Sequence, residues 1–111
     1  MTALAYSRTG RWLAGGATDS VVRLWDMVTG QLRLIAGHKS FISALDFSPN
    51  TGILAAASDD STARLTDMRD WSTHILRGHT RGLSSVKFSE DGALVATGSF
   101  DSTVRYVMVV G

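Results

Sequence analysis

The sequence predicts an all-β protein assembled from stacked four-stranded sheets, and three observations predict it. The stretch at residues 17–26, Ala-Thr-Asp-Ser-Val-Val-Arg-Leu-Trp-Asp, returns at 58–67 and again at 99–108, 41 positions on each time. Asp19, Asp60 and Asp101 fall in register, as do Ser20, Ser61 and Ser102, and Arg23, Arg64 and Arg105. A fixed period near 40 marks a repeat architecture whose single unit is too thin to bury its own apolar face. Short apolar runs also alternate with turn residues at roughly ten-residue spacing, and no helical period interrupts them. Finally, runs such as Ile53-Leu-Ala-Ala-Ala57 and Leu94-Val-Ala-Thr-Gly98 are apolar or small at almost every position. A sheet with one wet face would alternate polar and apolar residues, so sheets covered on both sides fit better.

Taken in order, residues 3–7 alternate as a short strand and Arg8-Thr9-Gly10 is a turn. Residues 12–17 form a small-residue strand, and Thr18-Asp19-Ser20 a tight turn, because Asp and Ser bond their own backbone there. Residues 21–25 are a β-branched strand, 26–30 a loop and 31–36 a fourth strand closed by Gly37-His38. The second unit repeats this with strands at 41–48, 53–57, 62–66 and 73–76, a Pro49–Gly52 turn signal and a closing Gly78-His79. The third has strands at 83–89, 94–99 and 103–109, around an Asp91-Gly92 turn and a Phe100-Asp101 turn. The expected units are 1–38, 39–79 and an incomplete 80–111, with eleven strands in all.

Bulk properties exclude several classes. Eleven basic and ten acidic residues are spread evenly to a net charge of +1, with no basic stripe to favour nucleic acid or an anionic membrane. The absence of cysteine removes disulfides and thiolate metal sites and is compatible with a reducing compartment. No apolar run approaches the roughly 20 residues of a membrane-spanning helix, and the opening Met1-Thr-Ala-Leu-Ala-Tyr6 lacks the pattern of a signal peptide. An intracellular location, cytoplasmic or nuclear, is therefore expected.

At Gly37-His38, Gly78-His79, the turn aspartates and Trp25-Asp26, the chain resembles the WD-repeat β-propeller family, and the resemblance covers essentially all 111 residues. It implies four-stranded antiparallel blades around a central channel, here a partial propeller of about 2.7 blades. It also implies a buried hydrogen-bond chain in each blade: His38, Ser58 and Asp60 in the second, His79, Ser99 and Asp101 in the third, and Asp19 with Trp25 in the first. The chain departs from the family where Thr66 and Val107 occupy the Trp position. Each lost indole costs about 3 kcal/mol if nothing refills its space.

An open blade face of four strands by five residues spans roughly 300 Å², from strand spacings of about 4.8 and 3.3 Å. Leaving it wet forfeits about 8 kcal/mol at ~25 cal/mol/Å², comparable to a whole domain's stability of ~5–15 kcal/mol. Both end faces are therefore expected to be covered, by further blades of a longer chain or by copies of this one. The lack of a fourth strand after Val109 favours a partial chain.

Catalytic and metal motifs are absent. His74 has no second ligand at metal spacing, Asp59-Asp60 is explained by turn chemistry, and Gly15-Gly16 lies inside a strand, where close backbone packing is the simpler reading. No phosphate loop or nucleophile elbow occurs. No cofactor and no enzymatic activity are expected. The arginines at 23, 64 and 105 are expected to bury their stems and pair with carboxylates at the blade edge.

Residues the repeat does not require are the candidates for partner contact. By resemblance, Lys39, Phe41, Thr80 and Arg81 after each Gly-His, and Asp59 and Phe100 before the turn aspartates, lie on a face that binds peptides. Trp71 falls on the opposite face, as an anchor or a plug. The expected function is a non-catalytic scaffold that binds other proteins or peptides, with no nucleic-acid or membrane partner. The alternative is a self-assembling repeat protein whose chains complete a ring.

Overall fold

The computed structural model describes residues 3–50 and 52–109. Met1, Thr2, Thr51 of the expected turn, and the last two residues of the expected third unit lie outside them. Eleven strands follow one another with no helix among the described residues. Sheet one is β1 (Ala3–Tyr6), β2 (Trp12–Gly16), β3 (Val22–Asp26) and β4 (Leu32–Ile35). Sheet two is β5 (Ile42–Phe47), β6 (Ile53–Ser58), β7 (Ala63–Asp67) and β8 (Thr73–Leu76). Sheet three is β9 (Leu83–Phe88), β10 (Leu94–Ser99) and β11 (Val104–Met108). Every sheet is an antiparallel meander in chain order. The antiparallel four-stranded sheets are those of partial β-propeller blades.

The turn between the second and third strands is built the same way three times. Ser20, Ser61 and Ser102 take φ values of 69°, 73° and 70°, and the preceding aspartate secures the turn. Asp19, Asp60 and Asp101 each accept a hydrogen bond from the backbone N–H two residues on, at 3.2, 2.9 and 2.9 Å. This local chemistry is why the Asp-Ser pair recurs with the period.

Two apolar seams hold the three sheets together. Ala14, Val22 and Leu24 of sheet one pack on Ile42, Leu45, Phe47, Leu54 and Ala56 of sheet two. On the other side of sheet two, Ile53, Ala55, Ala57, Ala63 and Leu65 pack on Leu83, Val86, Phe88 and Val95 of sheet three. β6 is consequently buried along its whole length. Polar links cross the second seam: Ser43 Oγ donates to the Leu83 carbonyl at 2.6 Å, and Phe88 N–H donates to Asp46 Oδ2 at 2.8 Å.

The two outward faces are apolar and open. Registers across sheet one place Tyr6, Leu13, Trp25 and Leu32 in one rung and Leu4 and Leu34 in the next but one row of the same face. Tyr6 is 67% exposed. On sheet three, Leu94, Val104, Tyr106 and Met108 share the outward face, and β11 is exposed at every residue.

Candidate functional site

Two places combine side chains that the strand ladders do not use: a hydrogen-bonded frame under the loop rim, and the rim itself. In the frame of sheet two, His38 sits with its side chain 3% exposed and its Nδ1 3.0 Å from Asp60 Oδ2. An ionised carboxylate can only accept, so Nδ1 carries the proton and Nε2 is a bare acceptor. Asp60 also accepts from Lys39 N–H at 2.9 Å, from Thr62 N–H and from the Thr62 hydroxyl. Burial works to raise its pKa, but these hydrogen bonds outweigh it and hold the carboxyl at about 2. His38 is pushed below its ordinary value chiefly by burial, which Asp60 only partly offsets.

Sheet three repeats the frame with one difference. His79 Nδ1 lies 3.0 Å from Asp101 Oδ2, which also accepts from Thr80 N–H at 3.0 Å. The hydrogen bond from the Thr103 hydroxyl is the foremost reason that Asp101 lies below the usual carboxylate range. The hydroxyl facing His79 Nε2, however, is Thr97 at 2.9 Å, and not the expected Ser99. Ser99 Oγ instead donates to the carbonyls of Arg81 and Gly82 and accepts from Asp101 N–H. Ser58 does the same in sheet two, bonding Ser40 and Phe41 carbonyls and Asp60 N–H. Both serines pin the loop to the strand, one step removed from the imidazole.

The position equivalent to Thr97 in sheet two is Ala56, and His38 Nε2 is accordingly buried without a hydrogen-bond partner. Ala56→Thr is expected to supply the missing donor and raise stability by about 1 kcal/mol. The check is a chemical-denaturation midpoint measured beside that of Ala56→Val, which adds bulk without a hydroxyl. Equal midpoints for the two variants would sink the expectation.

The frame around sheet one lacks a histidine. Asp19 pairs with Arg23, and Trp25 lies half-buried on the open face, its indole making no side-chain hydrogen bond among the described residues. The other two repeated arginines depart from the expected carboxylate pairing. Arg64 Nη2 donates to the Gly37 carbonyl at 2.8 Å, and its guanidinium lies where a Cβ on Gly37 would stand. Arg105 packs on Gly78 in the same way. Gly37 and Gly78 have φ of 136° and 129°, a backbone that glycine adopts freely. The Gly-His pair thus opens a flat place for the arginine and presents the imidazole beside it.

The rim lies above this frame. Ile42 N–H donates to the Ala17 carbonyl at 3.1 Å, joining the loop of sheet two to the turn of sheet one. Asp59 abuts Gly82, joining sheet two to the loop of sheet three. Lys39, Phe41, Asp59, Thr80, Arg81 and Phe100 are all exposed along this continuous edge, Phe41 by 38% and Phe100 by 60%. Their backbones are fixed from below, with Asp59 N–H on the Phe41 carbonyl and Phe100 N–H on the Gly82 carbonyl.

Trp71 is placed differently from the other contact candidates. It lies at the opposite end, half-buried in the seam between sheets one and two, edge-on to Trp12 with ring centroids 6.4 Å apart. Its reach across the seam, rather than outward, follows from the apolar wall that sheet one offers it. Among the described residues, no three of His, Asp and Glu gather as metal ligands.

Comparison with known proteins places this geometry. Stretches of the chain are similar to nuclear distribution protein PAC1 of Coprinopsis cinerea (50% identical over 44 residues, 39% of this chain and 10% of that protein). Similar too are transcription initiation factor TFIID subunit 5 of Caenorhabditis elegans (42% over 45 residues, 40% of this chain and 7% of that protein) and target of rapamycin complex subunit wat1 of Schizosaccharomyces pombe (36% over 52 residues, 47% and 17%). The matched stretches thus span between 7% and 17% of these relatives' lengths. The family described as WD domain, G-beta repeat, matches residues 1–26, 30–67 and 71–106, which is most of the chain. Each later match begins just ahead of the last strand of the preceding sheet, β4 or β8, and because the matches cover most of this antiparallel all-β chain, the chain belongs to the WD-repeat family.

Proposed function

We propose that the chain is a non-catalytic protein-interaction scaffold whose loop rim, above blades at 1–38, 39–79 and 80–111, holds a peptide or loop of a partner protein. The observation that carries this is the division of labour at the rim. Asp60, Asp101, Ser58 and Ser99 fix the loop backbones from beneath, while Phe41, Phe100, Lys39 and Arg81 stand exposed and unused by the frame. Rigid loops that present aromatic and cationic side chains suit binding, because little side-chain freedom remains to be lost. Relatives named as subunits of TFIID and of the target of rapamycin complex support a role inside assemblies.

A photo-crosslinking residue at Phe100 is expected to capture protein partners in cell extract, and one at Glu90, in the β9–β10 turn at the far end, is not. Equal capture at both positions would count against the rim. A second reading, that copies of the chain cover one another, is favoured by the open apolar faces carrying Tyr6, Leu13, Trp25 and Leu32 on one side and Val104, Tyr106 and Met108 on the other. Contiguous exposed apolar surface of this kind marks an association site. Light scattering over a concentration series is expected to show the mass rising; a constant monomer mass with a sharp melt excludes this reading.

A further inference from the structure

The seam between sheets one and two holds a feature that the repeat does not require. Trp71 has φ of 64° in the β7–β8 turn, where the equivalent position in sheet one is Gly30 at 79°. A left-handed backbone is natural for glycine and strained for a bulky side chain, and such strain persists where the surroundings hold it. The turn itself does not need the indole. Trp71 N–H donates to the Asp67 carbonyl at 2.7 Å, and Gly30 N–H makes the same bond to Asp26 at 2.7 Å. The ring instead crosses the seam, meets Trp12 at an interplanar angle of 83°, and lies under the Arg33 guanidinium at 3.7 Å.

With Leu24 and Asp26, these three side chains line a groove of about 300 Å³. In the next seam Ile53 and His74 stand at the positions of Trp12 and Arg33, so among the described residues the pairing of an indole wall with an arginine is seen in this seam. Both walls of the groove are formed by described sheets, and no further blade is needed to complete it.

The charges around the groove are unevenly satisfied. Asp26 accepts from Arg11 at 3.0 Å and from the N–H groups of Val28 and Thr29. Asp67 accepts from Arg69 at 2.8 Å, and Asp70 from Ser72 N–H and Oγ. Arg11 is held by Asp26 and sits 5.1 Å from the Trp12 ring. Arg33 is exposed, and its guanidinium lies on the Trp71 ring without a carboxylate partner among the described residues. A guanidinium stacked on an indole keeps its in-plane N–H fork free, in the geometry that grips a carboxylate with two hydrogen bonds.

We propose that this groove is a recognition slot for an extended acidic segment of a partner protein. A glutamate or aspartate of that segment pairs with the Arg33 fork, and an adjacent apolar side chain lies against Trp12 and Trp71. Trp71 positions the fork, and its strained backbone is what aims the ring across the seam. The slot is independent of the loop rim at the other end of the blades.

The test is selection of twelve-residue peptides from a random displayed library on the immobilised 111-residue chain, followed by anisotropy titration of the recovered sequences. Recovered peptides are expected to carry an acidic residue next to a large apolar one. They are expected to lose about tenfold in affinity on Arg33→Gln, and to lose less on Arg33→Lys, which keeps the charge without the fork. Trp71→Gly relieves the backbone strain and keeps the turn, so it isolates the ring's contribution and is expected to weaken binding as well. An unchanged melting temperature for Arg33→Gln separates lost recognition from lost fold. Recovered peptides without an acidic residue, no recovered peptides, or equal affinity for wild type and Arg33→Gln would each overturn the proposal. Peptides sensitive to Phe100→Ala but not to Arg33→Gln would overturn it while supporting the loop rim.

Discussion

Replacing Asp60 by alanine is expected to lower the unfolding free energy by about 3 kcal/mol or more. The carboxylate accepts from His38 Nδ1–H, Lys39 N–H, Thr62 N–H and the Thr62 hydroxyl. Removing it orphans an imidazole N–H whose side chain is 3% exposed, and each stranded buried donor costs on the order of 1–3 kcal/mol. Asp60→Asn keeps one acceptor oxygen and is expected to fall between alanine and wild type. Urea unfolding measures this as a lower midpoint at unchanged slope; a loss within about 0.5 kcal/mol, the range of an ordinary surface substitution, would show that the frame does not hold the blade.

The same pair sets a pH dependence. The folded pKa of Asp60 is about 2, below the ordinary value of roughly 3.9. Its contribution is therefore complete above about pH 4 and is lost as the pH falls toward 2. His38 is also depressed in the folded chain, so the unfolded chain binds that proton first. Stability consequently begins to decline as the pH drops through about 6.5. Asp60→Ala is expected to make the acid-most part of this decline shallower, with Asp101 and the other low-titrating aspartates supplying the rest.

The second large effect is expected at Gly16. This residue ends β2 and is paired with both Ala3 and Val22, so strands flank it on either side. A Cβ there would overlap Cβ and Cγ2 of Ile42, which is completely buried in the first seam. A β-branched Ile42 on a fixed strand cannot swing away as a long flexible side chain would. Gly16→Val is expected to cost about 3 kcal/mol, at the upper end of overpacking effects, and to loosen sheet one from sheet two. Pairing it with Ile42→Ala should recover part of the loss, which identifies the overlap as the cause. A Gly16→Val protein as stable as wild type would mean that the seam yields more readily than its packing indicates.

The strands were legible because the signals that set them are local. Turn chemistry at Asp-Ser and Gly positions, a strict period and unbroken apolar runs place all eleven within a residue or two of their observed bounds. The choice of partner inside a blade was not legible. Thr97 and Ser99 point to the same face of β10, and sequence spacing cannot say which hydroxyl meets the His79 ring. Arg64 and Arg105 turn to Gly37 and Gly78, where the missing side chain leaves room for the guanidinium, and sequence spacing does not reveal that choice. The Trp12–Trp71 contact joins residues far apart in sequence, and Trp12 is replaced by Ile53 one period on, so the period offered no hint of it. What remained readable at the rim was which side chains the repeat leaves unused.

β6 is clasped on both faces, and three of its six residues are alanines. Narrow side chains bring the neighbouring sheets close, so this strand belongs to both seams at once. In a linear stack, each sheet's persistence depends on its immediate neighbours. The outer sheets each rest on one seam and can fray singly, whereas exposing β6 requires both to part. Its amide hydrogens therefore belong to the slowest-exchanging class, those released only by global opening, and those of β4 and β11 to the fastest. Among the described residues, the three sheets form a short line held at its middle strand.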